Sequence, residues 1–391
     1  MKEKSFLIIA ASIGSGHMRA AEAVAEALKI EYPGARIEIV DFSAWQVSPA
    51  TAFMKASYLF LLRFIPNLYD LMYRFTGGKT GGLSMQNLIS AVTARDIRAL
   101  VRRFQPDAVI CTHPFPAGAV SWRKARHSGE FVFTTVITDY SVHQMWIYPN
   151  ADGYFVAREA MKTELIAAGL APEGVFATGI PITECFRCPK ERRAALAEMG
   201  LSEDVPTVLL MGGGLGLGGV EAALAELEKT AEPIQIMVVA GRNEALKRKA
   251  EELALQSSHQ ILVWGYSSQI RTLMAAASFI ISKPGALTIS EALAAELPML
   301  LHDPIPGPEA QNGAYIAAQG AALWVSDPAA LGEAIRRLLA EPERLGAMRE
   351  RAHALKRPEA AREIARILSG MLADRSGNKQ TIVGLMGENR F

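Results

Sequence analysis

Cysteine is scarce in this chain of 391 residues: it has three, at Cys111, Cys185 and Cys188. So low and odd a count is no disulfide framework and fits a reducing compartment. Two of the three form Cys-Phe-Arg-Cys, but no further ligands stand out at zinc-site spacing. The pair also lies in a proline-flanked segment, not at the strand–helix junction of a redox dithiol, so it reads as linker. Neither sign of charge is in excess. The 41 basic and 40 acidic residues leave a net charge of +1, which excludes a nucleic-acid binder that works through bulk positive charge. No apolar run reaches the ~18 residues of a membrane-crossing helix. Lys2 and Lys4 precede an apolar stretch as in a signal peptide, yet the stretch is short and runs into a glycine turn and a helix, as a first buried strand does. The expected location is therefore cytoplasmic. Also missing are a G-K-[ST] phosphate loop and an internal short-period repeat.

The chain is long enough for two domains, and half of its residues are hydrophobic. Strand-like runs at residues 6–11, 37–41, 108–111, 131–138 and 154–157 alternate with helical sequence. The rhythm restarts at residues 207–211 and continues through 234–240, 261–264, 279–282, 299–301 and 322–325. This predicts two mostly parallel, doubly wound α/β domains in series. The first covers residues 1–180 and the second 207–355, joined by a linker over 181–206 that carries prolines at 181, 189 and 206. Residues 374–391 are polar with two glycines and read as a flexible tail.

Aromatics are concentrated in one place. Residues 51–75 hold seven, Phe60 and Phe64 among them, interspersed with Lys55, Arg63 and Arg74, and are followed by Thr-Gly-Gly-Lys-Thr-Gly-Gly, which reads as a flexible loop. Aromatics mixed with cations suit a membrane interface, so residues 51–82 are expected to touch membrane; the competing reading is a helix buried in the first domain.

In an open parallel sheet, ligands bind beyond the carboxyl ends of the strands. Three clusters fall there, and a fourth lies on the amino-terminal glycine turn. "MGGGLGLGG" places glycines at 212, 213, 214, 216, 218 and 219 between a strand and a helix, more than a tight turn needs and suited to close approach of backbone N–H groups to a diphosphate. The strand that follows, 236–240, has no acidic residue at its end, so a dinucleotide fold is disfavoured. "SKPGALTISEALAAE" makes a sharp turn at Pro284-Gly285 and puts Glu291 in the first turn of a helix, where a carboxylate accepts hydrogen bonds from a ribose diol or merely complements the helix end. "DPIPGPEAQN" brings Glu309, Gln311 and Asn312, suited to sugar hydroxyls, to a helix start. "SIGSGHMRAAEA" sets His17 on a glycine turn before a helix.

Together with "VITDYSVHQMWIYPNADGYFVA", these motifs resemble, in order from about residue 6 to about residue 370, the monogalactosyldiacylglycerol synthase and processive diacylglycerol glucosyltransferase group of glycosyltransferase family 28. The resemblance implies the GT-B fold, two Rossmann-like domains facing across a cleft, with a helix over residues 356–373 returning to the first. It also implies a UDP-sugar donor, a diacylglycerol-type lipid acceptor, inversion at the anomeric carbon, and neither a cofactor nor an obligatory metal. By motif, Gly212, Gly213 and Gly214 would hold the diphosphate and Glu291 the ribose, with Gly285 a further donor-binding position. Glu309 and Asn312 match the sugar-binding stretch, although Pro308 replaces its usual glutamine and leaves the choice of hexose open.

An inverting transfer needs a base on the acceptor hydroxyl. His17, with an ordinary pKa near ~6.5, could be that base, could as an imidazolium hold the diphosphate, or could be structural. Asp139 could orient an imidazole or be the base itself, and His143 is a second histidine candidate. Gly14 and Gly16 would leave room for the acceptor headgroup and His113 would shape its pocket. The expectation is a peripheral enzyme on the inner face of the cell membrane, touching anionic lipids and no nucleic acid, that makes a β-glycosyl diacylglycerol from UDP-glucose or UDP-galactose. An undecaprenyl-linked acceptor and a non-catalytic UDP-sugar-binding regulator are the alternatives.

Overall fold

The computed structural model describes residues 3–12, 15–44, 66–127, 129–214, 216, 218–305 and 307–387. The first domain opens with β1 (Ser5–Ala10), α1 (Gly16–Glu31) and β2 (Arg36–Asp41), and after two helices, α2 (Pro66–Gly77) and α3 (Lys79–Phe104), reaches β3 (Ala108–Cys111). It continues through α4 (Pro114–Arg126), β4 (Val132–Val136), β5 (Gly153–Phe155), α5 (Glu159–Ala167) and β6 (Val175–Phe176). The six strands form one parallel sheet in the order β2-β1-β3-β4-β5-β6. β1 and β3 are almost wholly apolar and buried along their length, the pattern of parallel strands covered by helices on both faces.

A helix, α6 (Arg192–Met199), lies within the linker and leads into the second domain. There β7 (Thr207–Met211), α7 (Val220–Leu227), β8 (Gln235–Val239), α8 (Glu244–Ala254) and β9 (Gln260–Trp264) are followed by α9 (Ile270–Ala276), β10 (Phe279–Ser282) and α10 (Ala286–Ala294). β11 (Met299–His302), α11 (Glu309–Ala318), β12 (Ala322–Val325), α12 (Leu331–Ala340) and α13 (Pro342–Leu355) complete it. Its sheet is again parallel, ordered β12-β11-β10-β7-β8-β9. The last helix, α14 (Ala360–Gly387), packs on the first domain: Ile364, Ala365 and Leu368 share a core with Ala21, Val24 and Leu28 of α1, and Tyr32 donates a 2.8 Å hydrogen bond to Ser369. The chain from 374 to 387, expected as a flexible tail, continues this helix.

Strand order places the sites. In the first sheet the chain leaves β1 for β2 on one side and returns to β3 on the other, so the connections after β1 and β3 diverge and open a crevice. The second sheet does the same between β7 and β10. The loops carrying His17, His113, the six glycines and Lys283-Pro284-Gly285 occupy these two positions.

Two local expectations fail. The Thr-Gly-Gly-Lys-Thr-Gly-Gly stretch is not a loop but the end of α2 and the first turn of α3, joined at Gly78. Thr76 folds its hydroxyl back onto the carbonyls of Met72 and Tyr73, and a Cβ on Gly82 would stand 2.3 Å from Gln144 Cγ, so that glycine serves close packing. Secondly, α1 begins at Gly16 and not near residue 20, which puts His17 in the helix's first turn.

Candidate active site

On the first-domain side, His17 is clasped to the end of β3. Its Nδ1 is 2.8 Å from the carbonyl oxygen of Thr112, which can only accept, so Nδ1 carries the hydrogen. The Thr138 hydroxyl lies 2.8 Å from the same nitrogen, and the Thr112 hydroxyl donates to the His17 carbonyl at 2.9 Å. This tautomer leaves Nε2 as an acceptor, and no hydrogen bond from a described residue reaches it. Burial pushes the His17 pKa down to about 4 against the opposing pull of the Thr112 carbonyl. The neutral ring is therefore the favoured form near pH 7, and the imidazolium form is disfavoured.

His113 stands edge-on to His17 with ring centroids 4.6 Å apart. Its Nδ1 accepts the Phe115 N–H and, with Pro114 next, starts α4. Burial, then His17, hold its pKa well below the usual value. His143 is occupied elsewhere. Its Nε2 donates to the Tyr73 carbonyl at 2.9 Å and its Nδ1 accepts the Met145 N–H at 3.2 Å. Both nitrogens are committed, so it ties α2 to the segment after Asp139 and has no lone pair left for acid–base work.

Asp139 follows β4 and meets the other domain. Asn312, fully buried, donates to Asp139 Oδ1 at 3.3 Å and accepts the Tyr140 N–H at 2.9 Å. Tyr140 continues the seam by a 2.9 Å contact with Ser290 and a stacked ring on Tyr315. Burial pushes the Asp139 pKa up to about 7; the Asn312 hydrogen bond opposes this, Glu309 adds to it and Lys283 opposes it.

On the second-domain side the glycine loop is folded as tightly as its composition allows. Gly216 has φ +61° and a Cβ there would stand 2.1 Å from the Ala240 carbonyl; Gly219, at φ +64°, would press on His302. Several of the glycines are thus demanded by the loop itself as well as by ligand access. Of the three assigned to diphosphate, Gly212 leaves β7 buried, Gly213 sits at φ +65°, and Gly214 donates its N–H to Ser15 Oγ at 3.3 Å across the cleft. Gly285 caps α10 without any side-chain cap, so the first N–H groups at the positive end of that helix have no side-chain partner. Lys283 brings an ammonium to the same place: its Nζ pairs with Glu309, and a Cβ on Gly285 would be 3.1 Å from it. The second oxygen of Glu309 accepts the Ile305 N–H at 2.8 Å and so shapes the loop before α11.

Glu291 is the sixth residue of α10, in its second turn, which corrects its expected place in the first. Complementing the helix end is therefore not its role. It is 5% exposed, and its carboxylate accepts no hydrogen bond from any described residue. Burial pushes its pKa up to about 7, the nearby Arg19 guanidinium acting the other way. A buried carboxylate without donors is costly, and a diol would supply two.

Gly16 adjoins Leu287, where a Cβ would make an ordinary 3.8 Å contact, so space alone does not require glycine there. Gly14, Phe60 and Phe64 lie outside the described residues. The sequence reading missed Lys283, Arg19, Thr138 and Tyr140. Each sits within three residues of a singled-out position, which is the signal that could have found them. Among the described residues no group of three or more His, Cys, Asp or Glu is placed to hold a metal, and no helix is long and apolar enough to cross a membrane.

Both halves of the chain are similar to known proteins. The family model for monogalactosyldiacylglycerol (MGDG) synthase matches residues 17–182, and that for the glycosyltransferase family 28 C-terminal domain matches residues 207–364. A processive diacylglycerol beta-glucosyltransferase of Bacillus cytotoxicus is 30% identical over 94% of both chains. One from Staphylococcus saprophyticus is 26% identical over 95% of this chain and 94% of its own. Among solved structures, MurG of Acinetobacter baumannii superposes with a TM-score of 0.60 at 16% identity over 94% of this chain and 99% of its own. S. aureus MnaA in complex with UDP gives 0.61 at 13% over 92% and 94%.

Proposed function

The chain belongs to the glycosyltransferase family 28 group of monogalactosyldiacylglycerol synthases and processive diacylglycerol β-glucosyltransferases, and we propose that it is an inverting, UDP-sugar-dependent hexosyltransferase that makes a β-glycosyl diacylglycerol. The observation that carries this reading is the pairing across one cleft of a donor-type surface with a carboxylate poised near neutrality. Glu291, the glycine loop and the amino end of α10 form the first; Asp139, held by Asn312, is the second.

In the proposed reaction the acceptor hydroxyl oxygen attacks the anomeric carbon of a UDP-α-hexose as the bond from that carbon to the diphosphate oxygen breaks. Asp139 takes the hydroxyl proton; a base works best with a pKa near the working pH, which favours it over His17 at about 4. His17 Nε2 instead accepts a hydrogen bond from the acceptor headgroup beside His113. The departing UDP carries its negative charge against Lys283, the N–H groups at the start of α10 and the glycine loop. These groups supply the positive charge that the leaving group requires, and the reading calls on no metal. UDP is also the ligand named for the structurally similar MnaA.

The lipid side is read from α2 and α3. Leu71 and Phe75 are 63% and 70% exposed, with Leu83 and Leu88 exposed beyond them, and Arg95, Arg98 and Arg102 follow on the outer face of α3. Apolar side chains beside a basic stripe fit a peripheral contact with an anionic membrane surface. The His143–Tyr73 bond links that face to the segment carrying Asp139. The test is lipid extraction from cells expressing the parent or Asp139→Asn. A hexosyl diacylglycerol should appear with the parent alone; a sugar-modified polyprenyl lipid in its place would overturn the acceptor assignment.

A further inference from the structure

Arg19 is the only cation among the described residues that pairs with Glu291, and it comes from the opposite domain. It lies on α1, two residues after His17, and its Nη2 is 3.8 Å from Glu291 Oε1 across the cleft. Its Nη1 is 3.4 Å from the hydroxyl of Tyr266, beyond β9 in the second domain. Glu22, one turn along α1, stands 4.0 Å from its Nε and is half exposed. The 3.8 Å separation is an ion pair without a direct hydrogen bond. The guanidinium therefore offsets part of the cost of burying the Glu291 charge while leaving its lone pairs open to hydroxyl donors.

Desolvating a carboxylate is unfavourable unless an opposite charge arrives with the closing surface. In an open cleft, water solvates Glu291. In the arrangement seen here, the cation paired with it is Arg19, at 3.8 Å. We propose that Arg19 is a positioning residue that couples donor binding to domain closure: carried by the acceptor domain, it completes the ribose-holding carboxylate of the donor domain, so that the donor is gripped fully only when the two domains are together. This rests on the reading of Glu291 as the ribose ligand.

The test is equilibrium binding of UDP-glucose, and of its 2′-deoxyribose analogue, to the full-length parent, Arg19→Ala, Arg19→Gln, Glu291→Gln and the Arg19→Ala/Glu291→Gln double variant, with kcat and donor KM for each. Arg19→Ala and the shorter, uncharged Arg19→Gln should each weaken UDP-glucose binding about tenfold, the scale of a lost charge-assisted contact. Their kcat with saturating donor should fall less than about threefold. The parent's preference for the ribose donor over the deoxy donor should shrink in both. In the Glu291→Gln background, removing Arg19 should change affinity by less than about twofold, because the two side chains act as one unit. Undiminished loss in that background, an unchanged deoxy preference, or unaltered binding by both Arg19 variants would overturn the role of Arg19 while leaving Glu291 intact. Tighter binding by Arg19→Ala would make the contact a competitor of the donor and would also overturn it. Normal UDP-glucose affinity in Glu291→Gln alone would instead sink the ribose assignment on which the proposal stands.

Discussion

Replacing Asp139 with Asn separates the two candidate bases. The substitution keeps the size of the side chain and an oxygen for the Asn312 amide, so the 3.3 Å bridge between domains can persist while the proton acceptor is lost. Loss of a general base costs typically ~10²–10⁴-fold in rate, and donor KM should change little, because Asp139 meets the reacting hydroxyl and not the nucleotide. The pH profile of the parent is equally diagnostic. The carboxylate is the active form, so kcat must rise with pH through the pKa of the base. For Asp139, pushed by burial to about 7, the rising limb should lie near neutrality, whereas His17, pushed down to about 4, would place it far lower. The assay is initial-rate UDP release with saturating UDP-glucose and diacylglycerol vesicles across the pH range in which the protein stays folded. A kcat flat around neutrality, together with an Asp139→Asn variant near parental turnover, would refute the assignment and return the base to His17.

Other outcomes follow from the same geometry. Glu291→Ala should raise donor KM about tenfold to a hundredfold, for ~1.5–3 kcal/mol of charge-assisted hydrogen bonding, with kcat little altered; an unchanged KM with collapsed kcat contradicts the ribose role. Because Glu291 sits at about 7 and binds donor hydroxyls as the carboxylate, donor KM in the parent should fall as pH rises through neutrality, separately from the kcat limb. Leu71→Ser with Phe75→Ser should reduce co-sedimentation with anionic vesicles while UDP affinity stays at the parental level; unchanged sedimentation would mean that this exposed face is not the membrane contact. Extensive dialysis against a chelator should leave turnover intact if Lys283 and the helix end meet the diphosphate charge, and a loss restored by divalent cation would contradict that.

How far the sequence could be read depended on what its signals encode. Buried parallel strands are short apolar runs, so β3, β7, β10 and β12 were placed to the residue, while β6, with two residues, is too short to carry a pattern. Helix starts were less legible. α1 and α10 start at Gly16 and Ala286 with no side-chain cap to mark the start, so His17 falls inside the first turn and Glu291 in the second. Glycine misled at residues 77–82, where composition spoke for a loop and close packing on Gln144 made helix. The pairings of Arg19 with Glu291, Lys283 with Glu309 and Asn312 with Asp139 join distant segments, two of them across the cleft, and leave no trace in local periodicity.

The central claim is tested most directly by the product. Purified protein should be incubated with isotopically labelled UDP-glucose, or UDP-galactose, and diacylglycerol vesicles, and the lipid phase examined by mass spectrometry and by NMR at the anomeric centre. The account predicts a hexosyl diacylglycerol with the β configuration, formed by the parent and lost in Asp139→Asn. An α-linked product would contradict the single-displacement mechanism. Tight binding of UDP-sugar with no glycolipid formed from either donor would contradict the enzyme itself.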